Sequence, residues 1–159
     1  PVGDLTLKAD NPTTEKFSIN LALSGNGNNI NAKGYFLPNA TADALNFDID
    51  IQSLASKTVE AFSLGQISQT AGEIHGKASI RGSTKDPQVN GSLTFNNVYV
   101  NPAFLNNRLQ LKNETIENTP NAITLRTFTI MDTNNLSAVI NSSINITIEP
   151  RTIKTYRLP

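Results

Sequence analysis

Apolar and polar residues alternate with a period of two through nearly every segment of this 159-residue chain. A chain patterned that way lays down pleated strands with one apolar and one polar face. Residues 4–9 put Leu5 and Leu7 on one side, and residues 17–23 do the same with Phe17, Ile19, Leu21 and Leu23. Residues 30–36 read as a third strand. Leu45, Phe47, Ile49 and Ile51 line a fourth, whose other face carries Asp48 and Asp50. Residues 76–97 read as a hairpin of two amphipathic strands around a polar turn with Pro87; Ile74, Gly76, Ala78, Ile80 and Gly82 share a face of the first, and Val89, Gly91, Leu93 and Phe95 a face of the second.

Between these runs lie residues 10–15 and 24–29, rich in Asn, Gly, Pro and Thr, which is turn chemistry. Further strands are expected after the hairpin: Tyr99 and Val100, then residues 104–112, 123–131, 136–148 and a last one around 153–158. Within 123–131, Ile123 and Leu125 fall in one phase and Phe128 and Ile130 in the other, which predicts a bulge near Arg126. A single short helix is predicted over 57–64, with Ser56 as its cap and Val59 and Phe62 turned toward the sheet. Residues 34–51 and 76–95 both read strand, proline-bearing turn, strand, as a sheet grown from similar hairpins would.

One apolar face on many strands has to meet something, and one short helix cannot cover it. Three arrangements satisfy that demand: a second sheet closing a sandwich, closure into a barrel, or a folded trough whose interior takes a guest. A register with Gly82 opposite Val89 would set Ile80 against Gly91, Ala78 against Leu93 and Gly76 against Phe95, small against large at each step. Inward glycines cost roughly 0.5–1 kcal/mol each relative to Ala, so they call for curvature or for room beside a ligand.

Charge and composition exclude several function classes. The 13 basic and 13 acidic residues balance to zero, without the concentrated positive field that a nucleic-acid or anionic-membrane surface requires. With no cysteine, disulfides and thiolate metal sites are ruled out; this fits an oxidising compartment. No apolar run reaches the roughly 18 residues of a membrane span. Pro1 in place of Met and a strand-like tail to Pro159 suggest a piece of a longer protein.

Catalytic chemistry finds little to work with. His75 is the only histidine and sits on the polar side of its strand beside Glu73 and Lys77, with no second base near it in sequence. Asp48 and Asp50 lie in a continuous strand and lack the glycine turn and ligand series of a calcium loop. No serine occupies a Gly-x-Ser-x-Gly elbow, and Gly25-Asn-Gly27 lacks the remainder of a phosphate loop. Asn39, Asn90, Asn113, Asn135, Asn141 and Asn145 each begin an Asn-x-Ser/Thr triplet, as chance dictates in a chain so rich in these residues. The candidate site is therefore the apolar stripe of Phe17, Ile19, Leu21, Leu23, Leu45, Phe47, Ile49, Ile51, Ile74, Ile80, Val89, Leu93 and Phe95, which serves either as a core or as a lipid groove.

Gly82-Ser-Thr84 followed by Pro87-Gln-Val-Asn-Gly-Ser-Leu-Thr-Phe95 resembles the recurring phrase of the TamB proteins, the inner-membrane-anchored subunit of the translocation and assembly module. The likeness runs from Gly3-Asp-Leu-Thr-Leu7 through the hairpin to the strand at 136–148, and Phe128-Thr-Ile-Met-Asp132 with Asn134-Asn-Leu136 is similar to Bacteroidetes-like members. Asn141-Ser-Ser143 departs from the pattern, where a glycine is usual.

The resemblance implies an AsmA-like, bridge-type lipid-transfer protein without catalytic residues or cofactor. Residues 1–159 would form a single β-taco unit, a curved antiparallel sheet folded around an apolar interior, within a larger periplasmic protein. It implies phospholipid acyl chains as cargo, a TamA/BamA-type outer-membrane barrel as partner and attachment to the inner membrane through an anchor outside this chain. Two other functions fit the residues: a structural β-sandwich spacer or adhesin module, and a chaperone-like platform for unfolded outer-membrane β-strands.

Overall fold

The computed structural model describes residues 2–145, and their strands pair in the order in which they are made. The elements are β1 (Asp4–Thr13), β2 (Lys16–Gly25), β3 (Asn28–Phe36), β4 (Leu45–Ala55), α1 (Ser56–Phe62), β5 (Ile67–Gly82), β6 (Pro87–Pro102), β7 (Leu109–Thr119), β8 (Ala122–Asp132) and β9 (Ser137–Asn145). All nine strands belong to one sheet, ordered β1 to β9, with every neighbour antiparallel. The described residues are all-β with one short helix, and their sheet does not close into a barrel, since β1 and β9 are not paired with each other. No second sheet is present among the described residues.

Local chemistry explains the tight connections. Asn26 and Gly27 both adopt positive φ, 50° and 82°, which makes the two-residue turn that suits a right-twisted hairpin; only Asn and Gly take this conformation cheaply. In the β8–β9 turn, Asp132 Oδ1 accepts the amides of Asn134 and Leu136 at 2.8 and 2.9 Å while Asn135 sits at φ 60°.

The expected bulge near Arg126 is present. Register shifts between Leu125 and Phe128, with Thr127 at φ 50°. It belongs to a series crossing the sheet. β4 shifts between Ile51 and Leu54, β5 carries Gly72 at φ 90°, and the adjoining residue of β6, Asn97, lies at φ 47°. Each bulge inserts one residue and so resets the alternation, which keeps Phe128 on the same side as Leu125. The Phe95 and Phe128 rings accordingly meet edge to face across β7, 6.1 Å apart at 87°. Three of the four buried apolar residues, Ile74, Val98 and Phe128, lie close to this line, and the fourth is Ala44 in the β3–β4 loop.

Four expectations need correction. The hairpin register is offset by two residues: Gly82 pairs with Pro87, Ile80 with Val89, Ala78 with Gly91, Gly76 with Leu93 and Ile74 with Phe95. The turn is tighter than supposed, because Asp86 N donates to Ser83 Oγ at 3.0 Å and brings Pro87 itself into the ladder. Small therefore opposes large only at Gly76 and Leu93. Phe104 does not open a strand; Leu105 and Asn106 amides both bond to Pro102 O, and β7 starts at Leu109 and continues through the polar stretch to Thr119.

The helix also differs. Ala55 is the cap position and no side chain caps it, since Ser56 is already helical and donates its Oγ to Gly72 O at 2.7 Å. The face turned inward is polar. Ser56 and Thr58 are buried, whereas Phe62 is 72% exposed. Asn28, also buried, is the hub: its Nδ2 donates to Thr58 Oγ1 (2.8 Å) and Val2 O (2.7 Å), and its Oδ1 accepts Ala55 N (3.0 Å). A helix of two turns has too little apolar area to hold itself down, so hydrogen bonds in a dry spot do it instead. The sequence tail from 146 on, including the expected strand at 153–158, lies outside the described residues.

Glu60 completes the seat of α1. Its Oε2 accepts Thr70 Oγ1 at 2.6 Å, Thr70 N at 2.8 Å and Lys57 Nζ at 3.2 Å, and these bonds, the Thr70 hydroxyl first, lower its pKa from 4.5 to about 2. Between those values the unfolded chain binds the extra proton and the folded one does not. The contribution of Glu60 is thus in place above about pH 4.5 and is lost as pH falls toward 2. The protection of the Thr70 amide, its exchange rate relative to that of the unfolded chain at the same pH, should fall as pH is lowered through that window, and in Glu60→Gln it should not change there. The register gives a second expectation: Ile80→Cys with Val89→Cys oxidises to an intrachain disulfide, and Ile80→Cys with Gly91→Cys does not, as a non-reducing gel or mass measurement would reveal.

Candidate functional site: an uncovered apolar face

Following the ladder from strand to strand assembles the stripe. One row runs Leu5, Leu23, Ile30, Ile51, Gly76, Leu93, Ile116 and Leu125; the next runs Leu7, Leu21, Ala32, Ile49, Ala78, Gly91, Asn118 and Ile123. A third holds Ala9, Ile19, Gly34, Phe47, Ile80 and Val89, and a fourth Phe17, Phe36, Leu45, Gly82 and Pro87. Ile74 and Phe95 pair with one another one step beyond Gly76 and Leu93. Every residue of the candidate stripe therefore lies on one face of the sheet.

That face is not sealed. No large side chain among the described residues is fully buried, and Leu5, Leu7, Phe17 and Val89 remain 66, 61, 36 and 38% exposed. At its middle is a groove of about 540 Å³ lined by Ile49, Ile51, Ala78, Pro87, Val89, Gly91, Leu93, Ile116, Pro120 and Ile123 among others. Its volume falls in the range of small-molecule sites, roughly 300–1,000 Å³. The neighbouring pair Ala78 and Gly91 makes the floor low, while Ile49 and Ile51 on β4 and Ile116 and Ile123 on β7 and β8 stand on either side. The Cβ position is taken by backbone at both Gly91 and Gly76: at Gly91 an added Cβ would collide with Lys77 O and lie 2.7 Å from Ala78 Cα, and at Gly76 it would collide with Ser92 O and lie 2.9 Å from Leu93 Cδ2, so both mark a close approach of β5 and β6.

Six of these groove residues, Ala78, Pro87, Gly91, Ile116, Pro120 and Ile123, lie outside the stripe read from the sequence. Ile116 is a lone apolar residue among Asn113, Glu114, Thr115, Glu117 and Asn118, so the stretch lacks the repeated signal of its neighbours. The polar residues on both sides of Ile116 are the clue that was available.

The opposite face is a charge lattice. Lys33 stands beside Asp48 and Asp50 beside Lys77 across the ladder, and Arg81 Nη2 donates to Asp48 Oδ1 at 2.6 Å. A depression of about 830 Å³ lies among Asn31, Lys33, Asp48, Asp50, Lys77, Ser79 and Asn90, with Ile49, Ala78 and Gly91 also lining it. Asp48 is thus paired with Arg81 across the strands, while Asp50 has Lys77 as its ladder neighbour. His75 is on the polar face, with Nε2 3.3 Å from Glu73 Oε1 and Nδ1 against Gln52 O at the β4 bulge. No group of three His, Cys, Asp or Glu residues placed to hold a metal occurs among the described residues, and no helix there is long and apolar enough to cross a membrane.

Comparisons of the chain with family models, with curated proteins and with solved structures return no match. Gly76→Val tests the close approach of β5 and β6: it should destabilise the sheet by about 1–3 kcal/mol, read as a lower urea midpoint.

Proposed function

We propose that this chain is a non-enzymatic, lipid-conducting segment of the TamB type, holding phospholipid acyl chains along its apolar face in the periplasm. One observation carries the reading: four rows of apolar side chains share a face that no other layer of the described residues covers. Hydrocarbon suits such a surface because it asks for no hydrogen bond and no fixed shape. Each methylene taken from water contributes about 0.8 kcal/mol, so a chain lying along Ile49, Ile51, Leu93 and Ile116 is held without a specific lock and slides. The headgroup stays in water at the open side. The sequence resemblance supports the compartment, the inner-membrane anchor in another part of the protein and a TamA/BamA-type barrel as the receiving partner.

The sandwich-spacer reading needs a covering layer from outside residues 2–145. The chaperone-like reading has one feature in its favour, the edges at β1 and β9 that no other strand among the described residues pairs. Native mass spectrometry and lipid extraction of the purified chain decide among them. Phospholipid should co-purify with the wild type, and Leu93→Asp or Phe47→Asp should remove most of it while the circular dichroism of the sheet is kept. Lipid-free wild-type protein, or photocrosslinkers in the groove that trap polypeptide alone, would overturn the lipid reading.

A further inference from the structure

β6 and β7 are interior strands with partners on both sides, and they keep one register from Gly91 opposite Asn118 to Val100 opposite Leu109. Alternate residues of β7 therefore stay on the groove side along its length. From Ile116 toward the α1 end of the sheet that row reads Glu114, Lys112, Gln110 and then Arg108, which immediately precedes the strand. The apolar face thus ends in charge. Tyr99 stands opposite Gln110, and the Arg108 guanidinium lies over its ring, 4.5 Å from the centroid, which draws it one row toward Lys112. Stacking of this kind fixes the plane of a guanidinium and leaves its edge donors available. Neither Arg108, Lys112 nor Glu114 forms an ion pair among the described residues, and Nε of Arg108 is shielded from solvent without a hydrogen-bond partner. A buried donor with no acceptor calls for one.

We propose that Arg108 and Lys112 hold the phosphate of a lipid whose hydrocarbon lies in the groove beside Ile116 and Leu93, the ligand class being a singly charged phosphodiester. A point between Lys112 and the row of Gln110 and Tyr99 is roughly 17 Å along the strand from Ile116, a span that the glycerol and the first part of an acyl chain bridge. Arg108 suits the task because Nε and one Nη form an edge that gives a phosphate two parallel bonds, and the stacked ring has already fixed that edge. Lys112, exposed and two residues from Glu114, adds a second cation. With Glu114 the three side chains carry one net positive charge, matched to the one negative charge of a phosphodiester. So local a balance agrees with a chain that is neutral as a whole. The inference rests on the lipid reading of the groove and adds the head to it.

Calorimetric titration of the full chain with sub-micellar lauroyl-lysophosphatidylglycerol, with monolauroylglycerol and with inorganic phosphate tests the assignment. The wild type should bind the phospholipid about tenfold or more tighter than the glyceride of the same tail, and inorganic phosphate more weakly than either. Arg108→Gln and Lys112→Gln should each remove most of that difference while the glyceride binds as before, which also shows that the variants are folded. Leu93→Asp should weaken both lipids alike. Equal affinity of the wild type for the two lipids, or a difference that survives both substitutions, would overturn the phosphate site and leave the lipid reading standing. A wild type that binds neither lipid would overturn both. Inorganic phosphate bound as tightly as the phospholipid, and unaffected by Leu93→Asp, would assign the cluster to free phosphate and overturn the lipid head.

Discussion

Antiparallel hydrogen bonds between each successive pair of strands carry this fold, because little else spans it. Of the apolar side chains, only Ala44, Ile74, Val98 and Phe128 are buried among the described residues. A single-layer sheet gains its stability from the ladder and from cross-strand neighbours on its two faces. Each strand is therefore held mostly by the strand before it and the strand after it, as in a repeat protein. The line of bulges is what keeps the layer useful: by inserting a residue on strand after strand, it lets Leu125 and Phe128, or Ile51 and Leu54, stay on one side while the ribbon bends.

The strands were legible because alternation is a local property. Leu45, Phe47, Ile49 and Ile51 announce a face with no help from the rest of the chain, and the phase change at Arg126 announces its bulge. Register was not legible to the same degree, since a shift by two residues leaves every side chain on its original face. Only the geometry of the Ser83 to Asp86 turn distinguishes Ile80 opposite Val89 from Ile80 opposite Gly91. The helix misled for a different reason. Val59 and Phe62 make an apolar pair by spacing, yet Ser56, Thr58 and Glu60 are fastened by Gly72, Asn28 and Thr70, all distant in sequence. Long-range polar bonds leave no periodic trace.

The same limit applies to the candidate site. The residues of the stripe share one face in the row-by-row pairing. The sequence could not tell that Ala78 and Gly91 would stand side by side as a floor, or that Ile116 would face them from β7, because those facts belong to register. What the face offers is an area of hydrocarbon-compatible surface that no other layer of the described residues covers.

The odd number of strands among the described residues, joined as a simple up-and-down meander, has a consequence for how such a sheet meets its neighbours. β1 and β9 run in the same direction, so a stack that repeated the chain by translation, with its apolar side kept uppermost, would have to splice the two edges in parallel. Parallel splicing is the weaker geometry per residue and demands its own slanted bonding pattern. For the nine described strands, parity thus disfavours head-to-tail splicing: like edges can meet in the stronger antiparallel geometry, and unlike edges only in the poorer parallel one.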